Sequence, residues 1–225
     1  MQLLGALHDI VATGSTFGYD TARDVMFGSI DDPDAKNAIT ELYSGKVYKQ
    51  VSGRLSADRQ DLTAEHSWPQ SEGAREEAKN DLHHLFPAIN TMNTRRSNLP
   101  YGTVDKAIWS TDPIDGIDEV SVLGTDADGN KVFEPRPSVQ GDVARAQLYF
   151  FTRYNSDKPD DYTLNNFKVS LPTLLKWHAE DPPDKVEKAR NDAIFGVQHN
   201  RNPYVDHPGW VDDIDFTKAY PRKRS

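Results

Sequence analysis

The chain has 225 residues, of which 36% are apolar and 27% charged, and its formal net charge is −9. This length is enough for one domain, or at most two, with a substantial hydrophobic core. The negative balance argues against a protein that binds nucleic acid through a broad basic surface, since Lys and Arg supply most of that affinity. The acidity is local, however, because residues 103–140 alone contain eight acidic and three basic side chains.

Cysteine is absent from the chain. Disulfides, thiolate nucleophiles and cysteine-based zinc sites are therefore excluded, and any metal ion must bind to carboxylate, amide, imidazole or backbone groups. No apolar run approaches the roughly 20 residues that a membrane span needs, so we expect no membrane insertion. No linker rich in Gly or Ser divides the sequence, which predicts a single domain over residues 1–225.

The N-terminal half begins with two short amphipathic helices, as judged from helical spacing. Their apolar residues are Leu3, Leu4, Leu7 and Ile10 in the first helix and Tyr19, Ala22, Val25 and Met26 in the second. Two short strands are predicted next, over Thr63–Pro69 and Asp81–Pro87, because each segment ends at a proline. A helix is then predicted over Ala88–Ser97.

The C-terminal half begins with a strand pair and continues with three longer helices. Asp128-Gly129-Asn130 is typical of a turn, here between strands at Glu119–Leu123 and Lys131–Phe133. We expect Asp142 to cap the first helix and Ser170 to precede the second. The apolar residues expected to face the core are Val143, Ala146, Phe150 and Tyr154, then Leu174, Leu175 and Trp177, then Val186, Ala189, Ala193, Ile194 and Val197. The whole pattern predicts a mainly helical α+β fold.

Two polar patterns in the middle of the chain are candidates for chemistry. Glu65-His66 lies on the first predicted strand, and an adjacent carboxylate and imidazole offer a metal ligand and a general base. Alone, such a dipeptide is more often a solvated pair than a site. On the predicted helix, Asn90, Asn93 and Arg96 are three residues apart and share one face. This stripe is either a solvated face or a polar wall that holds a metal ion and a phosphate.

The order of strand, loop, strand and helix, with these residues on it, resembles the bacterial endonuclease I family of His-Me finger (ββα-metal) nucleases. The motifs that carry the resemblance are Glu65-His66-Ser67-Trp68-Pro69-Gln70-Ser71, Asp81-Leu82-His83-His84-Leu85-Phe86-Pro87, Asn93 to Gly102, Phe133-Glu134-Pro135, Gly141-Asp142-Val143-Ala144-Arg145-Ala146, Leu175-Lys176-Trp177-His178 and Arg201-Asn202-Pro203-Tyr204-Val205-Asp206-His207-Pro208. They span nearly the whole chain. Their occurrence in this order makes the resemblance specific, whereas any one block would be weak.

The resemblance implies an α+β fold, a mainly helical single domain around a ββα-metal core at about residues 61–102. It also implies a divalent-metal-dependent, largely sequence-nonspecific endonuclease that hydrolyses DNA and RNA to 5′-phosphate products. His66 matches the general base, and Glu65 and Asn93 match the protein ligands of one ion, usually Mg²⁺, for which Mn²⁺ or Ca²⁺ can substitute. Arg96 matches a motif arginine next to the site and is expected to act in catalysis through a phosphate contact.

Five further residues receive supporting roles from the resemblance. His83 and His84 fall on the second predicted strand and are expected to support the site without binding the metal ion. Glu134, in its own motif, is expected to support either the site or the core. Arg75, the arginine of the loop between the strands, and Arg95 are expected to contact substrate phosphates. The resemblance also implies a monomer in a secreted or periplasmic location, with the leader absent from this chain.

Strand geometry sets a condition on this site, because neighbouring residues point to opposite faces of a regular strand. Glu65 and His66 must both serve one phosphate, so we expect a local distortion of the strand there. Two other functions stay open at this point. A zinc hydrolase could use His66, His83, His84 and a carboxylate, and a non-catalytic binding domain could line a groove with the four Trp and nine Tyr side chains.

Overall fold

A computed structural model describes residues 2–32, 34–114, 116–154 and 164–217 of the chain. The helices are α1 Gln2–Val11, α2 Tyr19–Val25, α3 Arg54–Asp58, α4 Asn90–Arg96, α5 Gln140–Tyr154, α6 Asn165–Glu180, α7 Lys185–Gln198 and α8 Pro203–Asp206. The strands are β1 Ala38–Thr40, β2 Val47–Lys49, β3 Leu62–His66, β4 Leu85–Ile89, β5 Lys106–Ser110, β6 Val122–Thr125 and β7 Lys131–Glu134. β1 pairs with β2, β3 pairs with β4, and β6 lies between β5 and β7, all antiparallel. The prediction of a mainly helical α+β fold is confirmed.

Two hydrophobic clusters form the core. The larger cluster centres on α5, whose Tyr149, Phe150 and Phe151 are buried together with Trp177 of α6. The smaller cluster surrounds a π-helical turn at Met26–Ile30, which packs against α7 and β4. Burial of large aromatic and aliphatic side chains contributes about 1.5–3 kcal/mol for each. These clusters therefore fix the positions of the elements between them.

The β3–β4 hairpin lies between the two clusters and is buried on both faces. Its register pairs His66 with Leu85 and Glu65 with Phe86, and paired residues share a face of the sheet. Leu85 belongs to the smaller cluster and Phe86 to the larger. The two faces of β3 are thus in different environments.

The second strand of this hairpin begins later than predicted. Residues Leu82–His84 form a 3₁₀ turn, in which the Asp81 carboxylate accepts a hydrogen bond from the backbone N–H of His83 (3.0 Å). The strand starts at Leu85 and continues through Pro87. Both strands of a two-stranded sheet are edges, where a residue without an N–H donor is tolerated. Proline therefore does not end this strand.

Three predicted helix starts are wrong, those of α4, α5 and α6. The helix predicted over Ala88–Ser97 begins two residues later, since residues 88 and 89 belong to β4, and ends at Arg96 because Ser97 has a φ of 54°. α5 begins before Asp142 and follows a 3₁₀ turn at Pro137–Val139. Asp142 is therefore inside the helix, where its carboxylate forms an ion pair with Arg145 (3.2 Å).

α6 begins before Ser170, so that Pro172 lies inside the helix instead of in its first turn. The Phe167 ring stacks on Phe151 of α5 with centroids 4.6 Å apart, and Leu171 is also buried against the larger cluster. This packing extends the helix N-terminally past the proline, even though the missing N–H removes one helical hydrogen bond.

Other expectations fail where a side chain faces solvent. Helical spacing predicts Ile10 and Val186 in the core, but they are 63% and 69% exposed, because α1 is buried through Leu7 and Val11 and α7 through Ile194. The predicted strand pair corresponds to β6 and β7, but β5 joins it as a third strand. Most β5 residues are exposed, so the strand lacks the apolar alternation that would predict it.

Substituting alanine for two glycines in the long helices is expected to change the free energy of unfolding in opposite directions. At exposed Gly196 in α7 a Cβ atom would meet nothing within 4 Å, so Gly196→Ala should raise the free energy of unfolding by about 0.5–1 kcal/mol. At buried Gly141 in α5 the Cβ atom would lie 2.0 Å from the Asp181 carbonyl oxygen, so Gly141→Ala should lower it by about 1–3 kcal/mol. Urea unfolding of both variants checks this prediction, and equal effects would contradict the packing of α5 against residue 181.

Candidate active site

β3 places Glu65 and His66 on opposite faces of the β3–β4 hairpin. The pairing with β4 runs without a register shift from residue 62 to residue 66. The expected distortion of the strand is absent from this pairing, and that prediction is wrong. Glu65 contacts Arg96 of α4, whereas His66 contacts Tyr19 of α2.

The Glu65 carboxylate is completely buried. Its Oε1 lies 3.0 Å from Nη1 of Arg96, and the hydroxyls of Tyr43 and Tyr101, 3.0 Å from each other, are close enough to influence it. Burial raises the pKa of Glu65 to about 7, although the Arg96 cation opposes this shift. Neither carboxylate oxygen completes a hydrogen bond of good geometry with the residues that the structure describes. Such a buried carboxylate has capacity for a further ligand.

Arg96 holds the end of β3 in place. Its guanidinium is 2% exposed and donates to the carbonyls of His66 (Nη1, 3.0 Å) and Ser67 (Nη2, 2.6 Å). The Cζ atom lies 4.4 Å from the centroid of the Tyr101 ring. A guanidinium buried this deeply, with both terminal nitrogens donating to backbone carbonyls, is not presented to a phosphate. The geometry favours a positioning role for Arg96 over the phosphate contact that was expected.

Asn93 lies one helical turn before Arg96 on the same face of α4. Its Nδ2 atom donates to the carbonyl of Ala64 in β3 (3.3 Å), which orients the amide and turns Oδ1 away from that carbonyl. The side chain is half-buried. Glu65 and Asn93 are therefore both at the junction between β3 and α4, and each contributes oxygen atoms there.

His66 is held by its ring nitrogens and by ring stacking. Nε2 lies 3.0 Å from the carbonyl oxygen of Lys79, which only accepts, so Nε2 carries the proton and donates. Nδ1 is then the acceptor, 3.4 Å from Nε2 of Gln70. The ring stacks on Tyr19 (centroids 5.7 Å apart) and lies 5.6 Å from His84. Burial, followed by repulsion from His84, lowers the pKa of His66 to about 3.

His83 and His84 lie in the turn before β4, not on the strand as expected. His83 Nε2 lies 3.2 Å from the carbonyl oxygen of Asn200, and His84 Nε2 lies 2.6 Å from that of Ala78. Burial lowers the pKa of each imidazole to about 4. Over the described ranges of the chain, no three His, Asp or Glu side chains come together to hold a metal ion. A zinc centre built from His66, His83, His84 and a carboxylate is therefore not supported.

The other three predicted residues lie at the surface or outside this junction. Arg75 is exposed in the loop after β3, and Arg95 is exposed with its Cζ atom 4.5 Å from the Trp109 ring centroid. Glu134 accepts a hydrogen bond from the backbone N–H of Val104 (2.7 Å). Glu134 thus joins β7 to the segment before β5, and its hydrogen bonds do not connect it with Glu65 or Asn93.

Sequence reasoning missed four side chains that surround the two candidate groups. Tyr43 and Tyr101 lie beside Glu65, and Tyr19 and Lys79 lie beside His66. Tyr101 falls within a family motif, which is the one signal that could have indicated it. The others meet the site only through tertiary packing.

The buried carboxylate of Asp81 anchors the turn that supports His66. It accepts hydrogen bonds from Tyr154 (2.7 Å), Tyr149 (2.9 Å), Gln198 (2.9 Å) and Arg153 (3.0 Å). Burial alone would raise the pKa of Asp81, but the Arg153 cation holds it below its usual range. These bonds join α5 and α7 to the residues just after Ala78 and Lys79, whose carbonyls hold the imidazoles.

A cavity of about 520 Å³ lies away from these residues. Its walls include Asp31, Arg136 and Arg190, and none of the predicted site residues lines it. Arg96 borders a small pocket of about 10 Å³. The candidate site is therefore identified by the chemistry of its side chains and not by this large cavity.

Comparison with known proteins identifies the family. The family described as Endonuclease I matches residues 1–209 of this chain. The chain belongs to the endonuclease I family. This result confirms the resemblance that was inferred from the motifs beginning at Glu65.

Relatives of this family member are named as nucleases. An extracellular ribonuclease of Bacillus amyloliquefaciens is 32% identical over 94% of this chain and 73% of its own length. An extracellular ribonuclease of Bacillus subtilis (strain 168) is 32% identical over 95% of this chain and 74% of its own length. A periplasmic deoxyribonuclease of Aeromonas hydrophila is 29% identical over 56% of this chain and 47% of its own length.

Membership of the endonuclease I family makes the chain a phosphodiester hydrolase, as predicted. The alternative of a non-catalytic binding domain is therefore not supported. Nucleases of this family generally use a divalent metal ion. In the part of the chain that the structure describes, no helix is long and apolar enough to cross a membrane.

Replacing Asp81 should destabilise this family member strongly. Asp81→Asn leaves Arg153 without its buried counter-charge, which should lower the free energy of unfolding by about 3–5 kcal/mol at pH 7. A carboxyl whose folded pKa is depressed stabilises the protein above its unfolded pKa, near 3.9, and loses this contribution as the pH falls below that value. Urea unfolding at pH 7 and pH 3 should therefore show a smaller difference between wild type and variant at pH 3. An equal difference at both pH values would contradict the depressed pKa.

Proposed function

We propose that this endonuclease I family member hydrolyses phosphodiester bonds of DNA and RNA without base-sequence specificity. His66 is the general base, and Glu65 and Asn93 hold one divalent ion, usually Mg²⁺. The observation that carries the proposal is the orientation of the His66 imidazole, whose Nε2 donates to the Lys79 carbonyl so that Nδ1 is the unprotonated nitrogen that can take a proton. The expected products carry a 5′-phosphate and a 3′-hydroxyl.

The donor chemistry of Glu65 and Asn93 fits a divalent ion. Both supply hard oxygen atoms, and Mg²⁺ usually binds to one or two protein ligands and keeps several waters. The incomplete hydrogen bonding of the buried Glu65 carboxylate supports this assignment, because a cation would satisfy those oxygens. The ion would stabilise negative charge on the phosphoryl and leaving oxygens when bound. Mn²⁺ and Ca²⁺ also bind oxygen ligands and are expected to substitute.

His66 supplies the proton acceptor on the other face of the hairpin. Because burial keeps its pKa far below neutrality, the imidazole is unprotonated at neutral pH. The Lys79 carbonyl fixes the tautomer with the lone pair on Nδ1, and the attacking water would take the place of the long contact from Gln70 Nε2 (3.4 Å). His66 is the last residue of β3. A phosphodiester that crosses this strand end would meet the groups of both faces, which removes the need for a distorted strand.

Arg96 positions these groups, because it binds the His66 carbonyl and also lies 3.0 Å from the Glu65 carboxylate. One buried cation thus links the residue on each face of β3. Arg75 and Arg95 are exposed and are proposed to contact phosphates farther along the substrate.

The substrate range is proposed from the relatives and from charge. Relatives named as ribonucleases and as deoxyribonucleases both match this chain, which supports activity on both nucleic acids. A chain with net charge −9 should bind these polyanions weakly, with a strong dependence on divalent cations and on salt. We also propose that the enzyme is a monomer that acts in the periplasm or outside the cell, where the named relatives are found.

His66→Ala should lower kcat for nucleic-acid cleavage by about 10²–10⁴-fold, the usual contribution of a general base, while binding is retained. The measurement is nicking of supercoiled plasmid and degradation of RNA with Mg²⁺, each repeated with EDTA, which should stop wild-type cleavage. Binding of the same nucleic acids is measured in parallel. His207→Ala is the control, since His207 is exposed and stacks on Trp210.

Wild-type activity in His66→Ala would contradict the role of His66. Cleavage that continues at full rate in EDTA would contradict the metal dependence. A wild-type protein that cleaves neither nucleic acid with Mg²⁺ or Mn²⁺ would overturn the proposed function as a whole.

A further inference from the structure

We propose that the side chain of Lys79 binds a phosphate of the nucleic-acid substrate beside His66, with the Tyr19 ring holding its ammonium group in place. This inference rests on the proposed function and adds a substrate contact to it. Neither the motifs nor the resemblance indicated Lys79 or Tyr19.

Lys79 meets His66 in two ways. Its backbone carbonyl oxygen lies 3.0 Å from Nε2 of His66. Its side chain also lies near His66. Nζ lies 4.1 Å from the centroid of the Tyr19 ring, and that ring stacks on the His66 imidazole. One residue therefore orients the candidate base through its backbone and places a positive charge next to it.

The Lys79 ammonium contacts the Tyr19 ring, but it forms no ion pair within the described ranges of the chain. No carboxylate lies within ion-pair distance of Nζ in the part of the chain that the structure describes. Arg23, the other cation near the Tyr19 ring (Cζ to centroid 5.8 Å), is neutralised by Asp58. Lys79 is half-buried and lies next to the candidate base, so its positive charge is held at the place where the reaction is proposed. A substrate phosphate is the anion that the proposed reaction brings to this place.

The ammonium group suits a phosphodiester chemically. Lysine is a point charge with three donors, and it binds phosphate oxygens without a fixed orientation. Such a contact does not read the bases, so it agrees with cleavage that is independent of sequence. Arg75 lies four residues before Lys79, and its carbonyl accepts the Lys79 N–H (3.3 Å). Arg75 is exposed and is thus the outer cation, whereas Lys79 is the one held at the Tyr19 ring.

A merely structural lysine would stabilise the fold through its contact with Tyr19 but would not affect the salt dependence of substrate binding. Counterion release distinguishes the two roles, since each phosphate contact adds about 0.7 to the slope of log K against log salt for single strands. Lys79→Met keeps the aliphatic stem on the Tyr19 ring and removes only the charge. Lys79→Arg keeps the charge.

The experiment measures binding of a short fluorescein-labelled single-stranded DNA with Mg²⁺ over a range of salt concentrations. All proteins carry His66→Ala so that the probe is not cleaved. Lys46→Met is the matched control, because Lys46 Nζ lies 5.0 Å from the Tyr48 ring centroid in another hairpin. Lys79→Met should raise Kd about tenfold at low salt and reduce the slope by about 0.7, whereas Lys79→Arg and Lys46→Met should keep the parent values.

An unchanged slope and Kd in Lys79→Met would overturn the inference. A raised Kd with the parent slope would also overturn it, since this result indicates a structural effect. Cleavage by the protein with intact His66 is measured in the same series. If that protein cleaves nucleic acid and only the Lys79 result fails, the proposed function stands without this contact; if it cleaves nothing, both fail.

Discussion

The candidate site depends on the hydrogen bonds and the ion pair that the buried carboxylate of Asp81 makes. The carboxylate collects hydrogen bonds from α5 and α7 and an ion pair from Arg153, and so it fixes the turn between Ala78 and His84. Within that turn, the carbonyl of Lys79 accepts a hydrogen bond from the His66 imidazole, and the carbonyl of Ala78 accepts one from the His84 imidazole. A buried charge with this many donors is rigid, because any loosening exposes an unpaired charge to the core. The orientation of the candidate base is therefore set by packing far from the base itself.

The hairpin that carries the site is buried on both faces, and this explains how neighbouring residues have different chemistry. Glu65 lies with the larger cluster and Arg96, where burial raises its pKa to about 7. His66 lies on the other face with Tyr19, where burial lowers its pKa to about 3. Arg96 bridges the faces by binding the His66 carbonyl. In the proposed function the substrate crosses the end of β3 and meets the groups on both faces, so the strand itself can remain regular.

The sequence predicts the strand, strand and helix that carry the candidate site and the residue types on them, because Glu65, His66 and Asn93 lie in local motifs. It does not predict that β4 starts at Leu85, since the turn before it is fixed by Asp81 and by Arg153, which is 72 residues away. It also predicts that Pro172 lies in the first turn of its helix, whereas aromatic packing on α5 extends α6 N-terminally past the proline. Long-range contacts of this kind leave no periodicity in the chain. The negative net charge is a poor guide to nucleic-acid binding for a similar reason, because it sums charges over positions that folding separates.

The central claim is that the two faces of β3 divide the work, with the metal ion at Glu65 and Asn93 and proton transfer at His66. Binding of Mn²⁺, followed by electron paramagnetic resonance, tests it most directly in the wild type and in Glu65→Gln, Asn93→Ala and His66→Ala. Urea unfolding verifies that each variant is folded. The account predicts that His66→Ala binds Mn²⁺ as the wild type does, whereas Glu65→Gln and Asn93→Ala bind it much more weakly. Unchanged binding in Glu65→Gln, or loss of binding in His66→Ala, would contradict this division.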